Sequence, residues 1–164
     1  MADEQNLSEM TPEEAFELGK EYYDGKNGKK RDYEKTIECY KIAAEAGLVA
    51  AQRELGRMYY WGYGVDADVK IALYWFEKAA SGGDVDSKYM AGLCYEDMSG
   101  PFCHDEAMLG MAKYCFEEAA KEGHELAKKE YKRYKKKRTN ISVINPKQKE
   151  DGFRLVLIRM FTKL

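Results

Sequence analysis

The sequence has few prolines and histidines and no long apolar run. Its 164 residues include 3 prolines against 45% hydrophobic residues, a balance that excludes a disordered body. The 2 histidines give little support to acid–base catalysis. No run of about 18 apolar residues occurs, so we expect no transmembrane helix and no stable membrane insertion.

Charge is distributed unevenly along the chain, whose net charge is −2. The first ten residues, MADEQNLSEM, are acidic and polar, the reverse of a secretory signal peptide, so we expect cytoplasmic localisation. Residues 127–138 hold eight Lys or Arg and one Glu, and residues 139–164 hold five Lys or Arg and two acids. The first 126 residues therefore carry a net charge of −12. This separation of an acidic body from a basic C-terminal end favours partners that bind in one orientation.

Residues 55–83, LGRMYYWGYGVDADVKIALYWFEKAASGG, have the pattern of one helix–turn–helix unit. Leu55 and Tyr59 fall on one face of a first helix, and the two glycines of WGYG supply a turn. Asp68 offers an N-cap oxygen to a second helix. Small alanines on this second helix predict close packing of the pair, within an apolar stripe of Ala72, Trp75, Phe76, Ala79 and Ala80.

The same pattern recurs before and after this unit. Shifts of 37 and 36 residues place Leu18 on Leu55 and Tyr40 on Phe76. A shift of 40 residues places Phe116 on Phe76, with four extra residues in the third turn. Such a period predicts stacked helical repeats, because a single unit cannot bury its own apolar face.

The pattern LG..Y..G.GV..D..KA..W..KAA..G resembles the Sel-1-like repeat, a relative of the tetratricopeptide repeat. The first copy lacks the GxGV turn and has Cys39 at the tryptophan position, where the third copy has Cys115. The resemblance covers roughly residues 15–137. The central unit matches almost fully, through Leu55, Gly56, Tyr59, Gly62, Gly64, Val65, Asp68, Ala72, Trp75, Lys78, Ala79 and Ala80.

The resemblance implies an all-α fold: an α-solenoid of three Sel-1-like helix–turn–helix repeats plus a C-terminal capping helix. It implies a non-catalytic protein-interaction scaffold or adaptor, with no shared catalytic residues and no cofactor. A secreted branch of the family staples each repeat with a cysteine pair, and that spacing is absent here. We therefore expect Cys39 and Cys115 to be small core residues.

We divide the chain into three segments. Residues 1–10 are expected to form a disordered N-terminus, residues 11–138 the repeat domain, and residues 139–164 a linker and an apolar, basic tail. The repeats span about 12–47, 50–83 and 86–123, followed by a cap at 125–137. The expected helices cover residues 12–24, 32–46, 50–60, 68–81, 85–96, 104–122 and 125–137.

The C-terminal features leave several interpretations open. The basic residues 128–138 fit a solvated cap, a nucleic-acid or nuclear-localisation patch, or docking to an acidic partner, although the acidic body argues against nucleic acid. Periodicity does not decide whether the tail is a helix or a strand. The tail could cover the end of the solenoid, mediate self-assembly between chains, or touch a membrane surface.

The alternative to a binding protein is a metal-dependent or hydrolytic module centred on Cys103 and His104. Thiol, imidazole and the carboxylates that follow are all metal ligands, but no second ligand pair stands at zinc spacing. The same stretch also fits a turn before a helix. We therefore expect no catalytic residue and no metal site, and we expect His124, after the helix-ending Gly123, to be exposed.

By family resemblance, the first helix of each repeat lines a concave surface. Arg57, Tyr60 and Trp61 fall off the apolar stripe and are candidates for contact with a partner, whereas Tyr22 and Tyr59 occupy a core position and should pack between helices. The expected partner is a protein or a peptide, helical or extended. The predicted binding residues are Arg53, Arg57, Tyr60, Trp61, Lys88 and Tyr89.

Overall fold

The computed structural model describes residues 7–100 and 105–139, and within these ranges every regular element is helical. This confirms the all-α prediction. A short 3₁₀ turn at Leu7–Glu9 precedes the helices, which are α1 Pro12–Asp24, α2 Tyr33–Glu45, α3 Val49–Trp61, α4 Val69–Ser81, α5 Val85–Ser99, α6 Glu106–Lys121 and α7 Glu125–Thr139. None of the helices in this part of the chain is long and apolar enough to cross a membrane.

The helix starts are set by capping side chains. Thr11 forms a capping box with Glu14, and its hydroxyl accepts a bond from the Glu14 backbone N–H at 3.2 Å. α2, α4 and α6 begin one or two residues later than predicted, because an aspartate with extended backbone stands at each N-cap. These caps are Asp32, Asp68 and Asp105.

Three helices run further than predicted. α5 was expected to end near residue 96 but continues to Ser99, because Gly100, with φ at 67°, is the first residue to leave the helical conformation. α7 continues beyond residue 137 to Thr139, because no glycine or proline ends the helix before that residue. α3 is one residue longer than expected at each end.

The N-terminal boundary also differs from the prediction. Leu7–Glu9 form a 3₁₀ turn, and Met10 packs against the core. Met10 stands directly before the Thr11 cap, where an apolar side chain packs on the first helical turn. Residues 1–6, residues 101–104, and residues 140–164 of the predicted linker and tail lie outside the described ranges.

Each helix packs mainly on the helices before and after it in the chain. Contacts one repeat apart join like ends of α3 and α5: Arg53 pairs with Asp84 near the helix starts, and Tyr60 bonds to Asp97 near the ends. α3 and α5 therefore run parallel, in register, with α4 between them in sequence. This is the arrangement of a solenoid.

The two helices of each repeat approach closely at a glycine. A Cβ atom added to Gly56 would lie 2.8 Å from the ring of Phe76, so only glycine leaves room for this aromatic ring. The sequence analysis had assigned the close approach to alanines, of which Ala79 is fully buried. The same contact recurs as Gly19 with Tyr40 and Gly92 with Phe116.

Candidate binding groove

A groove of about 260 Å³ lies between α3 and α5 and ends at the residue before α7. We call it the α3–α5 groove. α3 lines it with Arg53, Glu54, Arg57 and Trp61, and α5 lines it with Asp86, Tyr89 and Met90. His124 closes one end. The structure thus brings together four of the six predicted binding residues.

Arg57 and Trp61 form an exposed pair at one end of the groove. The two residues are four positions apart on α3, so their side chains stack on one face. The guanidinium carbon of Arg57 lies 5.3 Å from the centre of the Trp61 ring, a cation–π contact. Trp61 remains 45% exposed and the Arg57 side chain 48% exposed. The pair is therefore available to a ligand.

Arg53 is held by acids on both walls. Its guanidinium Nη1 lies 2.7 Å from Asp84 and its Nε lies 3.4 Å from Glu54. Burial alone would lower the pKa of Arg53, but the two carboxylates outweigh burial and raise the pKa. Because Asp84 also caps α5, this ion pair fixes the spacing of the two helices.

His124 is a groove residue that the sequence analysis placed wrongly. Its side chain is only 14% exposed, and its ring stacks on Tyr89 with 4.5 Å between centres. The Ala127 backbone N–H donates to His124 Nδ1 at 3.1 Å, so His124 caps α7. The ring proton is then on Nε2, which faces Asp86 at 3.4 Å.

Tyr60 and Lys88 lie outside the groove lining. The Tyr60 hydroxyl donates to Asp97 at 2.7 Å, and burial together with this hydrogen bond raises the Tyr60 pKa. The ammonium of Lys88 lies 2.5 Å from Glu122. The two residues connect α3 to α5 and α5 to the residue that ends α6. They brace the walls of the groove.

Sequence reasoning missed four groove residues, and two of them carried a signal. Tyr89 and Met90 lie three and four residues after Asp86, and this helical spacing places both on the same face as Asp86. Glu54 adjoins Arg53 but lies at the edge of the predicted face. His124 follows a helix end and reaches the groove only because α7 packs back on α5, which no local pattern reveals.

The described ranges contain no group of three side chains that could hold a metal ion. Cys103 and His104 lie outside these ranges. Burial raises the pKa of the Cys39 thiol to about 11 and that of Cys94 to about 12, so neither is a thiolate at neutral pH.

Cys39 is a core residue as predicted, Cys115 is half-buried against the core, and the predicted packing of Tyr22 and Tyr59 is confirmed.

Two solved structures resemble the chain in sequence and fold. A Sel1 repeat protein from Oxalobacter formigenes is 35% identical with a TM-score of 0.62, and the match covers 77% of this chain and 92% of that one. The protective antigen c5321 of uropathogenic Escherichia coli, which displays an SLR fold, is 32% identical with a TM-score of 0.62. That match covers 71% of this chain and 24% of the antigen.

Curated relatives are larger. The DAP3-binding cell death enhancer 1 of Mus musculus is 34% identical over 95 residues, which are 58% of this chain and 18% of the relative. Its Rattus norvegicus counterpart is 32% identical over 94 residues, 57% of this chain and 17% of the relative. The similarity therefore spans about a fifth of the length of these proteins.

The Sel1 repeat itself matches three stretches, residues 15–48, 49–84 and 107–124. The first two stretches coincide with the first two predicted repeats, and the third contains most of α6. Together they cover more than half of the chain. Sel1 repeat proteins generally mediate protein–protein interactions. The helical solenoid and the matching repeats show that this chain belongs to the Sel1 repeat family.

Proposed function

We propose that this protein is a non-catalytic adaptor or scaffold whose α3–α5 groove binds a peptide or a protein segment on the concave face of the solenoid. The observation that carries the proposal is the exposed Arg57–Trp61 pair within a groove of about 260 Å³. Tryptophan and arginine are the side chains most enriched among residues that dominate binding energy. The exposed Trp61 and the groove residue Met90 offer apolar area that a ligand can bury.

The groove walls support this proposal because they are already fixed. The Arg53–Asp84 ion pair and the Tyr60–Asp97 hydrogen bond join α3 to α5, and Lys88–Glu122 joins α5 to the end of α6. A site held by such contacts loses little conformational entropy when a ligand binds. A protein ligand also agrees with the name of the mouse relative, which describes binding to a protein.

Affinity capture from the native source, with mass spectrometry, tests the proposal. We expect Trp61→Ala to lose the captured partner, because it removes apolar area from the groove. Tyr74→Ala is the matched control: Tyr74 is 50% exposed but lies on α4, outside the groove. If Trp61→Ala and Tyr74→Ala retain every partner equally while both remain folded, the groove is not the binding site.

A further inference from the structure

The charges of the α3–α5 groove are separated along its length. At one end, Arg57 has one acidic contact among the described residues, a 3.5 Å approach to Glu54. Glu54 is shared with Arg53 at 3.4 Å, so it neutralises Arg57 only in part. This end of the groove therefore favours an anionic ligand group, which a guanidinium can bind through two parallel hydrogen bonds.

The other end has the opposite character. The Asp86 side chain is 67% exposed, and its ionic contact in the described part of the chain is with His124. Because His124 Nδ1 accepts a hydrogen bond from Ala127, only the Nε2 side of the imidazole faces Asp86. The carboxylate of Asp86 is thus available to a cationic group. Tyr89 and Met90, half-buried, lie on α5 between the two ends.

The register of the repeats gives the distance between these ends. A shift of 36 residues places Ala50 of α3 level with Asp86, and Arg57 is seven residues further along the parallel helix. With a rise of 1.5 Å per residue, the two residues are separated by about 10 Å along the groove. Three residues of an extended peptide cover about 10 Å. An α-helix needs about seven residues for the same distance and has a diameter of 10–12 Å, so the narrower extended peptide is the simpler fit to the groove.

We infer that the ligand, if the proposed function holds, is an extended segment of a partner protein with an acidic and a basic side chain about three positions apart and an apolar side chain between them. The acidic side chain binds Arg57 beside Trp61. The basic side chain binds Asp86, and the apolar side chain contacts Met90. The opposite charges at the two ends also fix the direction in which the segment lies.

Selection from a randomised peptide library displayed on phage tests this inference with the full chain as bait. We expect enriched peptides to carry an acid and a base three positions apart. The double variant Arg57→Glu/Asp86→Lys should select the reversed order of charges. Lys70→Glu is the control, because Lys70 is an exposed cation on α4 outside the groove. It should select the same peptides as the unmodified chain.

The chain itself carries the pattern at residues 151–154, DGFR, so the selection is repeated with Asp151→Asn, which removes this competitor. Enriched peptides without the charge pattern that are still lost with Trp61→Ala would overturn the inference and leave the proposed function standing. Enrichment that Trp61→Ala does not change, or no enrichment with any bait, would overturn both.

Discussion

At the scale of single residues, the contact between Gly56 and Phe76 decides how closely the two helices of a repeat can pack. Phe76 is fully buried and lies directly over the glycine. A methyl group on residue 56 would meet ring atoms at 2.8 Å, well inside van der Waals contact. Either the ring must leave its position or the helices must separate, and both disturb a closely packed core.

We expect Gly56→Ala to reduce the free energy of unfolding by about 1–3 kcal/mol, measured by urea denaturation. Gly110→Ala is the matched control, since Gly110 lies within α6 and a Cβ there meets nothing within 4 Å. Relief of the glycine entropy cost should stabilise that variant by about 0.5–1 kcal/mol. Equal effects of the two substitutions would show that the Gly56–Phe76 contact does not limit packing.

Groove residues could be predicted from the sequence where they recur with the period of an α-helix. Arg53, Arg57 and Trp61 repeat every four residues on α3, and this spacing alone placed them on one face. Tyr60 was assigned to the binding surface with them, but its hydroxyl bonds to Asp97, a residue one repeat away. A polar aromatic side chain is available to a ligand only if no distant residue of the chain already binds its polar group. Local spacing along the sequence does not show such distant partners.

At the scale of helices, Asp84 both caps its own helix and forms an ion pair with a neighbouring helix. Its carboxylate accepts from the Ser87 backbone N–H at 2.8 Å, which caps α5, and it also pairs with Arg53 of α3. Asp68 caps α4, with bonds to the N–H groups of Lys70 and Ile71, and has no ion pair in the described ranges. The start of α5 is therefore tied to the preceding repeat, whereas the start of α4 is held locally.

We expect Asp68→Ala to cost about 1 kcal/mol of stability, the usual loss of an N-cap. Asp84→Ala should cost more, because it also leaves Arg53 without its closest acid. Asp84→Asn keeps a capping oxygen and removes the charge, so its cost should be smaller than that of Asp84→Ala. Thermal unfolding of the three variants checks the order. If Asp84→Ala costs no more than Asp68→Ala, the ion pair contributes nothing measurable.

Helix positions followed from the sequence because caps and glycines mark them locally. At the caps Thr11, Asp32 and Asp68, the predicted helix start lies within one residue of the observed start. The end of α5 was misplaced because the repeat pattern stops at Tyr95, whereas the backbone stays helical until a residue with positive φ, Gly100, appears. The repeat pattern shows which residues correspond from one unit to the next, and it does not show how far a helix continues beyond the last matched residue.

At the scale of the whole molecule, α7 differs from the first helix of each repeat at the position of the packing glycine. Gly92 of α5 lies under Phe116, and the residue of α7 at the equivalent position is Lys132, an exposed cation. A further helix could not place an aromatic ring there without displacing the lysine side chain. α7 thus completes the packing of α5 and α6 with one face and presents lysines to solvent with the other, as a cap must.

Removing α7 should therefore loosen its neighbours and leave the first repeat intact. α7 contributes the buried Ala127, a Tyr134 ring 5.9 Å from Phe116, and the Tyr134 hydroxyl bonded to Glu96 at 2.8 Å. We expect a chain ending at Gly123 to lose amide hydrogen-exchange protection in α5 and α6, because repeats are stabilised by their nearest neighbours. A chain ending at Thr139 retains α7 and should match the full chain there. Equal loss of protection in α1 and α6 would instead show that the solenoid unfolds as one unit.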